Sequence, residues 1–176
     1  MGKAPGITAR KILERYPKTY RRVMGILSGI EYGLLMGTDR SAVRAAGGLF
    51  ANPDFHDGQV LVDAANKTIT ILDFGQAVPL TDSDRRLGLR LLRATANFDS
   101  PKAIRNWTRE AFGVALSLEE VRGILASTDR MGRFVKLVAK IRSRGGRIPI
   151  GAVHWVMAVN RQLALSEKIG THLEWK

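Results

Sequence analysis

Only one stretch of this chain reads as β-structure, and it constrains the arrangement of everything around it. Val60 to Val62 and Thr68 to Leu72 are short runs of β-branched and apolar residues separated by Asp63 to Lys67. Such runs on either side of a short polar link predict an antiparallel hairpin, with Asn66 suited to the positive φ that the turn requires. A hairpin returns the chain to where it started. The loop NPDFHDGQ at 52–59 and the tripeptide Asp73-Phe74-Gly75 are therefore expected close together at one end of the pair.

The remainder carries helix signals. From Val23 to Gly37 the sequence VMGILSGIEYGLLMG spaces Gly25, Gly29, Gly33 and Gly37 four residues apart, along one side of a helix. Small residues at that spacing let a second helix approach closely, so this face is expected to meet a helix of this chain or a protein partner. The segment would be about 22 Å long at helical rise and contains Glu31, which argues against a transmembrane span. A short helix is expected around Ser41 to Ala46, closed by Gly47 and Gly48. Thr81 with Asp84 starts a helix bearing Leu87, Leu89, Leu91 and Leu92. Ser100 before Pro101, Ser117 with Glu120, Thr128 or Asp129, and Pro149 mark four more, with Gly145 and Gly146 ending the third of these. The expected class is mainly α with one small β-hairpin.

A chain of 176 residues, 45% hydrophobic, suits one compact domain and buries about two-thirds of its unfolded surface. Within it, residues 1–37 read as a basic N-terminal segment with the glycine-spaced helix, and 38–176 as the main body. There is no cysteine, which excludes disulfides, thiolate catalysis and cysteine-held zinc. His56, His154 and His172 show no metal-ligand spacing, and Trp107 and Trp155 read as core or interface positions. The net charge of +12 is concentrated in Lys3, Arg10, Lys11, Arg15, Lys18, Arg21 and Arg22, and again over 130–147. Such blocks are either solvated helix faces or docking surfaces for an acidic partner: anionic lipid, RNA or nucleotide phosphate. The start shows no signal peptide. Its Arg-rich, acid-poor character is compatible with an organelle leader, so mitochondrial and bacterial cytoplasmic or membrane-peripheral settings both fit.

The loop and the tripeptide carry the chemistry. In phosphoryl transfer by kinases, a loop Asp serves the acceptor hydroxyl, an amide five residues later holds magnesium, and the Asp of Asp-Phe-Gly holds magnesium on the phosphates. Here Asp54 is followed five residues later by Gln59, then by the hairpin, then by Asp73. On these residues the chain resembles the UbiB/AarF atypical kinases, kinase-like proteins tied to ubiquinone biosynthesis, whose loop reads HxDxHxGN. Asp54, His56 and Gly58 match that loop, while Asn52 and Gln59 replace its first His and final Asn. The stretch LDFGQAVPLTDSDRRLGLRLLRATANFD resembles the family's continuation.

The resemblance implies a protein-kinase-like C-lobe for phosphoryl transfer or ATP hydrolysis, with Asp54 catalytic, Gln59 and Asp73 as metal ligands, and magnesium and ATP as cofactors. It also implies a link to isoprenoid-quinone metabolism. No kinase-like N-lobe is recognisable in the 50 or so residues before the loop, so the lysine that grips nucleotide would come from elsewhere. Two plainer readings stand beside this one. Asp54 and Asp57 flank a glycine turn and can serve only as backbone hydrogen-bond acceptors. The whole chain can equally be a non-catalytic basic structural subunit of a large organellar or bacterial assembly.

Overall fold

The computed structural model describes residues 6–45, 47–72, 75–96, 99–127 and 129–170. Its elements follow in the order β1 (Ile7–Thr8), α1 (Ala9–Arg15), α2 (Pro17–Met36), α3 (Arg40–Ala45), β2 (Leu49–Ala51), a 3-10 turn (Asp57–Gln59), β3 (Val60–Asp63), β4 (Thr68–Ile71), β5 (Val78–Leu80), α4 (Asp82–Thr95), α5 (Pro101–Phe112), α6 (Leu118–Leu125), α7 (Arg130–Ser143) and α8 (Ile150–Ile169). The fold is mainly helical, as expected, but it carries two small antiparallel sheets rather than a lone hairpin. No helix among the described residues is long and apolar enough to cross a membrane.

The chain divides into two compact units, one running through Leu80 and resuming at Met157, the other Thr81–Val156. α1 and α2 belong to the same unit as the loop and hairpin. In the first unit β3 pairs with β4, Val60 opposite Ile71 and Asp63 opposite Thr68. β1 adds to the free edge of β3, Ile7 opposite Val62. β2 pairs separately with β5, Leu49 opposite Leu80. The positive φ of the hairpin turn falls on Lys67 (φ 54) and not on Asn66. The reason is that Asp63 gathers the turn: its Oδ1 accepts from the backbone amides of Ala65 and Asn66, and its Oδ2 from the Asn66 amide at 2.8 Å. Asn66 is held by its side chain, which shifts the left-handed conformation one residue on.

α2 buries Tyr20, Met24, Leu27, Ser28 and Leu35, a stripe at helical spacing. Tyr20, Met24 and Leu27 join Ala9, Ile12, Phe55, Val60 and Ile169 in one apolar cluster. Gly37 ends α2 at φ 69, a left-handed cap that favours glycine. Within the chain, only part of the glycine stripe is packed against a neighbour among the described residues. An added Cβ at Gly25 or Gly29 would meet nothing within 4 Å among the described residues, whereas at Gly33 it would lie 2.8 Å from the Asp39 Cβ. Gly29→Ala is therefore expected to stabilise the chain by up to about 1 kcal/mol through helix propensity. Gly33→Ala is expected to lose that gain to overpacking that costs about 1–3 kcal/mol. Thermal melting of the two variants side by side checks both.

In the second unit, α4, α5, α6 and α7 each begin where a side chain caps the helix. Thr81 and Asp84, and Ser117 and Glu120, form reciprocal capping boxes, while Ser100 and Asp129 cap α5 and α7. Asp129 does this for α7; Thr128, the alternative, lies outside the described residues, as does Ala46 after α3. The core brings together Leu91, Ile104, Val121, Leu137, Ile141 and a fully buried Trp155. Trp107 is half-buried and meets the Phe112 ring edge-on at 5.3 Å.

Candidate functional site

The loop 52–59 is shaped by its own side chains before any other element touches it. Asn52 is buried, and its Oδ1 accepts the Asp54 amide at 3.3 Å, closing a turn over Pro53. Phe55 is buried in the apolar cluster and anchors the middle of the loop. His56 and Gln59 then cap the 3-10 turn reciprocally: the Gly58 amide donates to His56 Nδ1 at 3.1 Å, and the His56 amide donates to Gln59 Oε1 at 3.2 Å. His56 is thus a structural residue of the loop.

Asp57 is the most heavily engaged residue of the loop. It is 5% exposed, and three side chains converge on it. Arg10 donates through Nε and Nη2 to Oδ1, both at 3.2 Å, while the Tyr20 hydroxyl at 3.0 Å and Lys168 Nζ at 2.6 Å donate to Oδ2. Lys168 also lies over the Tyr20 ring, 5.4 Å from its centroid. Burial alone would raise the Asp57 carboxyl, but the hydrogen bonds from Lys168 and Tyr20 outweigh it and hold the group below the usual carboxylate range. Asp57 in turn raises Lys168. The carboxylate ties the loop to α1, α2 and α8.

Asp54 sits differently. Its side chain is 47% exposed and faces Arg161 of α8 at 3.8 Å, itself 52% exposed, so the pair is solvent-screened and contributes little to stability. Asp54, expected to be catalytic, thus faces a guanidinium, and Gln59, expected to hold metal, is buried with its amide oxygen on the His56 amide. Asp73 lies outside the described residues, as do Phe74, Lys3 and His172. Among the described residues, no group of three or more His, Asp or Glu side chains is placed to hold a metal ion.

Next to the loop lies a second polar cluster. Glu31 of α2 accepts from Gln162 Nε2, and Gln162 Oε1 accepts from Ser28 Oγ at 2.7 Å. Gln162 and Ser28 are 1% and 2% exposed. Burial pushes Glu31 up to about 8, partly opposed by the Gln162 hydrogen bond. Glu31 was conspicuous in the sequence as the one acid in an apolar helix. Arg161, Gln162 and Lys168 carried no such signal, because their partners lie more than 100 residues away. Comparison with protein-family models, with curated proteins and with solved structures returns no match.

Proposed function

We propose that the chain is a UbiB/AarF-like atypical kinase C-lobe, descended from magnesium-ATP-dependent phosphoryl transfer in isoprenoid-quinone metabolism and weak or inactive without a separate nucleotide-gripping part. The observation that carries this reading is the placement of Asp54. It is the half-exposed carboxylate of a loop in which Asn52, His56 and Gln59 hold backbone amides and Asp57 is taken up by Arg10, Tyr20 and Lys168. A rigid turn presenting one carboxylate suits an acceptor-orienting or proton-accepting role. Arg161 beside it offers a cation where phosphate charge would gather. Gln59 immediately precedes β3, and in the sequence Asp73 follows β4, the order such a site requires.

A second reading is favoured by a specific observation. Asp57 and Gln59 are consumed in holding the loop, and exposed cations outnumber acids along α1, α2 and α7. A non-catalytic basic scaffold subunit would need no more than this.

Titration with magnesium-ATP, followed through backbone amide shifts, separates the two. The phosphoryl-transfer reading expects residues 52–59 to respond only in about the millimolar range, because positioning of the phosphates supplies most of the effect in this chemistry. Shifts confined to the cationic helices would replace it with the scaffold reading. Micromolar binding would show that no second part is needed.

A further inference from the structure

We propose that Glu31, Gln162, Ser28 and Asn52 form a proton-operated switch: loss of the Glu31 proton draws the Asn52 amide inward and shifts the turn that carries Asp54. The first support is the fixed orientation of Gln162. Its amide oxygen takes the Ser28 hydroxyl at 2.7 Å and its Nε2 is directed to Glu31, so the one donor that this residue supplies to the carboxyl is already committed.

The second support is independent of Glu31. Asn52 is 3% exposed and its Oδ1 is engaged by the Asp54 amide, yet its Nδ2 has no hydrogen-bond partner among the described residues. A buried amide donor left unpaired is costly and rare in folded proteins. Asn52 and Glu31 line the same small cavity, whose other walls are Leu34, Leu35 and Phe50. The unmet donor and the carboxyl thus share one otherwise apolar space.

The charge balance around Glu31 determines what happens on ionisation. The groups that face it are Ser28, Leu34 and Leu35 from α2, Phe50 and Asn52 from β2 and the loop, and Gln162 from α8. None of these is a cation, and among the described residues only the Gln162 hydrogen bond acts to lower Glu31; Arg161, next to Gln162 in the chain, is directed to Asp54. With burial holding the carboxyl at about 8, its neutral and ionised forms exchange near neutral pH. The neutral acid is content with the Gln162 donor. Once the proton leaves to solvent, a full charge remains in apolar surroundings with one donor, and the unpaired Asn52 Nδ2 is available to supply a second. Because Asn52 Oδ1 holds the Asp54 amide, movement of the Asn52 side chain is passed to Asp54. Only the consequence for chemistry at Asp54 rests on the proposed function; the switch itself does not.

The test is an NMR titration of the full chain between pH 6 and 9.5, following the Glu31 side-chain carboxyl carbon, the Asn52 side-chain NH2 and the Asp54 backbone amide. All three signals are expected to move together with one midpoint near 8. In Glu31→Gln, which keeps the shape and a hydrogen-bonding amide, the shared transition should vanish from Asn52 and Asp54. A Glu31 midpoint below pH 6 overturns the proposal, and so does a Glu31 transition near 8 during which Asn52 and Asp54 stay still. Both results are read on the unmodified chain, so neither depends on the variant folding. None involves nucleotide, so a chain that ignores ATP leaves this outcome intact.

Discussion

Asp57→Ala is expected to destabilise the first unit by about 3 kcal/mol, the range for removing one partner from a buried charge cluster. The loss is not the sum of its three contacts. Arg10 and Lys168 are 65% and 46% exposed and can turn to water, whereas the hydroxyl of the 1% exposed Tyr20 is left with its Asp57 acceptor gone. Asp57→Asn should fall between, since it keeps one acceptor and turns its donor toward only one of the two cations. Denaturant unfolding followed by circular dichroism measures both. The pH dependence gives a second check. The carboxyl lies below its ordinary value in the folded chain, so its contribution is present above an unfolded value of about 3.9 and is lost as pH falls through the lower folded value. The acid limb of the stability curve should therefore be shallower in Asp57→Ala than in the parent.

Trp155→Ala is expected to cost the second unit about 3–5 kcal/mol, because the largest fully buried side chain would leave a cavity its neighbours cannot fill. Gly88 sharpens this prediction. A Cβ there would lie 2.5 Å from Trp155 Cε3 and 3.3 Å from the Ala152 carbonyl oxygen, so Gly88→Ala should overpack α4 against α8 by about 1–3 kcal/mol. With Trp155 gone, the ring contact disappears and the methyl group enters vacated space. The double variant should be more stable than the two single losses added together, with a coupling of about 1–3 kcal/mol. Strict additivity in the denaturation midpoints would show that Gly88 is small for another reason.

What the sequence made legible was chemistry completed within a few residues. The starts of α4, α5, α6 and α7 could be read because a Thr, Ser or Asp side chain satisfies an amide three positions on. β3 and β4 were legible for the same reason, being joined by a short link. β1, β2 and β5 were missed: each has only two or three residues, and their partners lie far along the chain, as Leu49 does from Leu80. The glycine spacing in α2 predicted one uniform groove, but the periodicity cannot say which glycines have a neighbour, and Gly29 and Gly33 differ on that point. At the site, Asp54 and its loop were visible from spacing alone. The convergence of Arg10, Tyr20 and Lys168 on Asp57 was not, since nothing local to Asp57 marks it as other than a turn residue.

The distance along the chain between Asp57 and Lys168 also bears on how the protein is made. At synthesis rates of about 5–20 residues per second, roughly 6–22 s separate the emergence of the loop from that of its last cationic partner. During that interval the nascent chain holds a carboxylate with no ammonium to meet it and a Ser28 with no Gln162. α4 can meet α7, and α6 can meet α5 and α7, in that interval, but their core is completed only when α8 brings Trp155. The Asp57 cluster is thus completed only after α4 to α7 have all left the ribosome, so the first unit closes around a segment made long after its loop.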